Sequence, residues 1–91
     1  MSKEVILLSN PSNFAVVQLP ERNFPGVVVQ GDTLNSLVSS LKEMSLLLEA
    51  HDFENLAAGL ADMEEQLGDA LIKYEKICRE REIELPYSPA Q

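Results

Sequence analysis

The sequence predicts an α+β fold, a three-stranded antiparallel meander followed by two helices (βββαα), the second of them long. Three observations carry that prediction. The first third is rich in valine with frequent Pro, Gly and Asn, whereas the rest is rich in Leu, Ala and Glu. Strands first and helices second is the signature of α+β rather than of alternating βα units. The linkers between the apolar runs of the first third are also far shorter than the crossover of about a dozen residues that parallel pairing needs. Finally, the second half keeps a helical step of three and four over some 25 residues.

Each strand is marked by β-branched or aromatic residues between turn formers. The runs are Glu4–Leu8, Phe14–Leu19 and Val27–Gln30. Ser9-Asn10-Pro11-Ser12-Asn13 joins the first two, with Pro fixing its own φ and Asn side chains able to bond nearby backbone. Residues 20–26 join the second to the third. None of the runs alternates apolar with polar, so a sheet with one wet face is not the expectation. Both faces should be at least partly covered, one by helices of the same chain and the other by more of the chain or a second copy.

The first helix begins at Gly31-Asp32-Thr33, where Asp32 or Thr33 can cap the free N–H groups of its first turn. Leu34, Leu37, Val38, Leu41, Met44 and Leu48 then recur at helical spacing. His51-Asp52 closes this helix and opens the next, with Asp52 as its N-cap. In the second helix Phe53, Leu56, Leu60, Met63, Leu67, Ala70, Tyr74 and Ile77 step by three and four in strict alternation, a heptad-like seam. Gly59 and Gly68 each cost up to about 1 kcal/mol against Ala in a helix interior. The apolar phase survives across Gly68, which predicts one continuous helix from Phe53 to about Glu82, roughly 45 Å long against roughly 27 Å for the first. Its overhanging end near Tyr74 and Ile77 must be covered by the sheet, the tail or a partner chain. The whole is expected to be one domain over 1–91, with sheet in 1–31, helices in 32–83 and an extended tail in 84–91, where Pro86 and Pro89 stand.

Fifteen acids against seven bases give a net charge of −8. Phosphate binding needs clustered Lys and Arg, so nucleic acid is an unfavourable partner, and an anionic membrane is disfavoured likewise. No stretch has membrane-spanning length, and Val5–Leu8 is too short for a signal-peptide core. A lone cysteine suits a reducing compartment, so the cytoplasm is the expected location. A chain of 91 residues buries only part of its surface on folding, roughly 60–65 % of what the unfolded chain exposes, which leaves its stability marginal without further support. Small folds recruit disulfides, metals or partner chains, and one Cys and one His leave oligomerisation.

The inventory for chemistry is short. Cys78 beside the apolar seam reads as a buried structural thiol, and His51 as a junction residue near a helix C-terminus, where positive charge is welcome. Asp62, Glu65 and Asp69 share a helical face that can bind a hard cation or serve as a solvated surface, helped by Asp69 and Lys73 at i,i+4. Gly26 and Gly31 are turn and cap residues, and Asp32 would repel a phosphate there. No catalytic residue, cofactor or metal is expected.

The segment Phe24-Pro25-Gly26-Val27-Val28-Val29-Gln30-Gly31-Asp32-Thr33-Leu34 resembles the strand–turn–helix signature of HicB-type antitoxins, over about residues 14–50. Together with Leu8-Ser9-Asn10-Pro11-Ser12-Asn13 it is similar to an uncharacterised family of small bacterial proteins without an assigned activity. The antitoxin resemblance implies a small basic ribonuclease as partner. Those antitoxins usually carry a DNA-binding segment after this unit. Here the corresponding segment is a strongly acidic helix, which argues against operator binding.

The expectation is a non-enzymatic interaction module forming a homodimer. Self-association is placed on Leu67, Leu71, Tyr74 and Ile77. Contacts to another partner are placed on Arg22, Asn23, Phe24 and Tyr87, since Arg and aromatics dominate binding hot spots. Phe24 has an equal alternative as a plug beneath its own loop. An antitoxin or immunity-type inhibitor of a basic nuclease is the second reading. A small enzyme is the third, which a pocket gathering Arg22, Asp32 and His51 would favour.

Overall fold

The computed structural model describes residues 4–89, so the ends of the chain, including Ala90 and Gln91 of the expected tail, lie outside the described residues. The meander and the two helices are present in the expected order: β1 (Ile6–Leu7), β2 (Phe14–Gln18), β3 (Gly26–Val29), α1 (Gly31–Glu49) and α2 (Phe53–Glu80). Packing divides them into two compact units. One holds Met1–Val29 with Ala70–Gln91, the other Gln30–Asp69.

In the first unit β2 is the central strand, antiparallel to both neighbours. The register pairs Leu7 with Val17, Ala15 with Val28 and Val16 with Val27. Cross-strand partners share a face. Leu8, whose N–H donates to the Val16 carbonyl at 2.8 Å, therefore lies beside Val16 on one face. Leu7, Ala15, Val17 and Val28 form the other. β1 is shorter than the expected Glu4–Leu8 for a specific reason. The Ser9 hydroxyl accepts the Val16 N–H at 2.8 Å, so a side chain replaces the backbone partner as the chain turns away. Only β2 is buried on both faces, through Ala15, Val16 and Val17. The edge strands leave Ile6, Leu7, Val27 and Val28 exposed.

The core of this unit joins Leu8 and Val16 to Tyr74 and Cys78 of α2, with Ile77, Ile83 and Leu85 packed around them. The Tyr74 hydroxyl donates to the Pro25 carbonyl at 2.9 Å. Lys73 Nζ donates to Ser12 Oγ at 2.6 Å and to the Phe14 carbonyl at 3.2 Å. Arg81 donates to the Leu8 carbonyl at 3.2 Å. The α2 end is closed by Glu82 at φ 56°. Its N–H donates to the Arg79 carbonyl and that of Ile83 to the Cys78 carbonyl, the paired bonds of a Schellman motif.

The second unit is a helical hairpin. α1 starts two residues earlier than a cap at Asp32, the nearer of the two expected caps, would require. Gln30 is the N-cap and makes no side-chain bond, while the Asp32 carboxylate, inside the first turn, accepts the Thr33 N–H at 2.8 Å. A carboxylate in that turn still favours the positive end of the helix dipole. His51, at φ 57°, and Asp52 repeat the Schellman arrangement through bonds to the Leu48 and Leu47 carbonyls. Asp52 then caps α2 as expected, accepting the Asn55 N–H at 3.3 Å and its side-chain amide at 2.7 Å. α2 runs unbroken through Gly68 for 28 residues. Gly59 lets the two helices approach: a Cβ there would stand 3.0 Å from Met44 Cγ.

Candidate interaction surfaces

The β2–β3 loop is built from its hydrogen bonds. Gln18 Nε2 donates to the Leu19 carbonyl at 3.2 Å and to the Arg22 carbonyl at 2.7 Å, tying the strand end to the loop. Glu21 takes φ 64°, the left-handed region that few L-residues occupy. Pro25 is buried, anchored by the Tyr74 hydroxyl, and Phe24 beside it keeps 43 % of its surface. Pro25 thus plugs the loop, and Phe24 does not fill the core. Glu21 to Pro25 line an open recess of about 320 Å³. Arg22, Asn23 and Phe24 are all exposed on its walls.

Tyr87 is placed by different neighbours. Its ring is exposed, yet its hydroxyl is pushed up to about 12 by local burial and by the Glu75 carboxylate, with Tyr74 and Cys78 adding to the effect. The hydroxyl therefore stays protonated well above the usual tyrosine range, as a donor for Glu75.

The four seam residues assigned to self-association separate into two pairs. Leu67 and Leu71 are exposed. Tyr74 is buried in the core of its own sheet unit, which corrects its assignment, since a buried ring offers no surface to a second copy; Ile77, half-buried, packs against that core. The overhang is covered by the sheet and by Ile83 and Leu85 of the tail. Seven further apolar side chains of the hairpin were not assigned and stand exposed: Leu34, Val38, Leu41, Leu46, Leu48, Phe53 and Leu60. Their signal was in the sequence, since 34, 41, 48 and 53, 60, 67 are each seven apart.

The hairpin also holds a recess of about 480 Å³, lined among others by Glu43, Asn55, Asp62 and Gln66 and by Met44 and Met63. No group of three His, Cys, Asp or Glu among the described residues is placed to hold a metal ion. Neither recess gathers Arg22, Asp32 and His51. Cys78 is a free thiol with no exposed surface. His51 stands edge-on to Phe53 at 5.7 Å. No described helix is long and apolar enough to cross a membrane.

Charge divides with the packing. Gln30–Asp69 contains nine acids and one base, a net of −8, while the sheet unit contains six of each and is neutral. The hairpin therefore carries the net charge of the whole chain.

A family model, described as a family of unknown function (DUF6959), matches residues 1–87. The chain belongs to that family. No curated protein matches it, and no solved structure does.

Proposed function

We propose that this member of the family is a non-enzymatic protein-interaction module of the bacterial cytoplasm that associates with itself. The observation that carries the reading is the distribution of apolar side chains. Among the described residues seven hydrophobic ones are buried, whereas eighteen large ones are exposed. Scattered exposed apolar residues are ordinary, but rows of them at a fixed helical spacing mark binding surfaces. The two groups with the reactivity for covalent chemistry are spent structurally, Cys78 in the core and His51 at a helix end. That supports binding over catalysis.

A second reading, an antitoxin or immunity-type inhibitor of a basic nuclease, is favoured by the confinement of the whole −8 to one helical hairpin. A cationic surface would meet a concentrated field there rather than a dilute one. On this reading Arg22, Asn23 and Phe24 of the loop, with Tyr87, supply one cationic, one polar and two aromatic contacts.

One experiment tests both. The tagged full chain is mixed with its untagged copy in a native lysate, captured at low and high salt, and read by quantitative mass spectrometry. Stoichiometric recovery of the untagged copy at both salts supports the self-associating module. A stoichiometric basic partner lost at high salt supports the inhibitor. Recovery of neither overturns both.

A further inference from the structure

We infer that one side of the helical hairpin is the docking face for the same side of a second copy, giving a four-helix bundle with a two-fold axis. The inference rests on the self-association reading and assigns it a surface. α1 and α2 touch through Met44 and Gly59. At about 100° per residue, Leu48, Leu41 and Leu34 lie roughly 40–80° to one side of Met44, and Leu67, Leu60 and Phe53 roughly 40–80° to one side of Met63. The sense of rotation is the same on both helices. In an antiparallel hairpin, equal rotation from the contact line brings both rows to the same side. Glu43, Asn55, Asp62 and Gln66 lie in the opposite sense, and all four line the recess. The two sides of the hairpin are therefore chemically distinct, one polar and recessed, one an apolar stripe.

The stripe is layered. With the turn at Ala50–Asp52, Leu48 stands level with Phe53, Leu41 with Leu60 and Leu34 with Leu67. All six keep between 46 % and 57 % of their surface exposed. A seven-residue step on both helices is the pattern of left-handed bundles, in which each row fills gaps in a facing one. The Leu41–Leu60 layer is central, so a two-fold axis either along the helices or across them leaves it central in the dimer. An isologous interface requires that self-complementarity.

Area and charge both point to a second copy. Half-exposed Leu and Phe side chains offer about 90 Å² each, so the stripe with Val38 supplies about 600 Å² per copy and about 1,200 Å² per pair, where specific interfaces begin. A cationic partner would find its complement on the acidic side, because the stripe itself carries no charge. Two hairpins of −8 repel through their remaining surface, so screening must strengthen the dimer, the opposite of what salt does to an acidic–basic complex.

The test is the mass of the full chain by sedimentation equilibrium at micromolar concentration and at two ionic strengths. The expected mass is twice 10.1 kDa, with the dissociation constant falling several-fold as salt rises. Leu41→Glu and Leu60→Glu should each weaken the dimer at least a hundredfold while retaining the helical circular dichroism. Leu60→Cys in the otherwise unaltered chain should cross-link to itself under mild oxidation, and Gln66→Cys, on the recess side, should not. The buried Cys78 takes no part. A monomeric unaltered chain at both salts would overturn this inference together with the self-association reading. A dimer that survives both glutamate substitutions, or that cross-links through Gln66→Cys and not Leu60→Cys, would leave self-association standing and overturn the stripe.

Discussion

Tyr74 is where the sheet unit is most exposed to a single atomic change. Its ring packs in the core and its hydroxyl supplies a donor to the carbonyl of buried Pro25. Tyr74→Phe keeps the ring and strands that carbonyl, which should cost about 1 kcal/mol, seen as a lower urea midpoint with an unchanged slope. An unchanged midpoint would mean that water takes the place of the hydroxyl. The tyrosines also predict an alkaline limit. Burial raises the Tyr74 hydroxyl, helped by the neighbouring Cys78, and burial with Glu75 pushes that of Tyr87 up to about 12. The folded chain then holds protons that the unfolded chain releases near 10.0. Their contribution to stability is fully present below that value and is lost as pH rises towards about 12. An ultraviolet titration of the folded protein should therefore show little tyrosinate at pH 10, where the urea-unfolded chain is half ionised. Coincident curves would sink the prediction.

At the scale of elements, α2 offers a matched pair of tests. Both of its glycines interrupt a helix interior, but their surroundings differ. A Cβ at Gly68 would meet nothing within 4 Å, and one at Gly59 would press on the Met44 side chain at 3.0 Å. Gly68→Ala should raise stability by up to about 1 kcal/mol. Gly59→Ala gains the same propensity and loses part of it by displacing Met44, so its thermal midpoint should fall below that of Gly68→Ala. Equal midpoints would show that α1 and α2 pack less closely there than described. The continuity of α2 was legible because the phase of Leu67, Ala70 and Tyr74 carries across Gly68. The Asp52 cap was legible for the same local reason. β1 was overextended because nothing in Val5–Leu8 reveals that Ser9 will take the Val16 N–H from across the sheet. The fate of Tyr74 and Ile77 was equally hidden, since a seam read along one helix does not say which neighbour covers each turn. Their place in the core depends on the sheet lying against that stretch of α2, a contact between residues about 60 positions apart. Leu34, Leu41 and Leu48 lay in plain periodic view, but only the Met44–Gly59 approach fixes which side of α1 faces inward.

At the scale of the molecule, the segregation of charge is the feature that sequence halves understate. Divided at residue 40 the chain shows −1 and −7, and divided by packing it shows zero and −8. The hairpin has one lysine, Lys42, to set against nine carboxylates. Like charges on neighbouring turns destabilise a helix by a few tenths of a kcal/mol each, and salt screens them as the Debye length falls from about 30 Å at 0.01 M to about 8 Å at 0.15 M. The sheet unit, with six charges of each sign, has no such repulsion to relieve. Raising ionic strength over that range should therefore raise the thermal midpoint of the hairpin, followed by helical circular dichroism at low protein concentration where association does not contribute. The core around Tyr74, followed by tyrosine fluorescence, should move less. A helical signal that weakens with salt would mean that ion pairs, not repulsion, dominate the hairpin, and the acidic side would then lose its claim as a field waiting for a cationic partner.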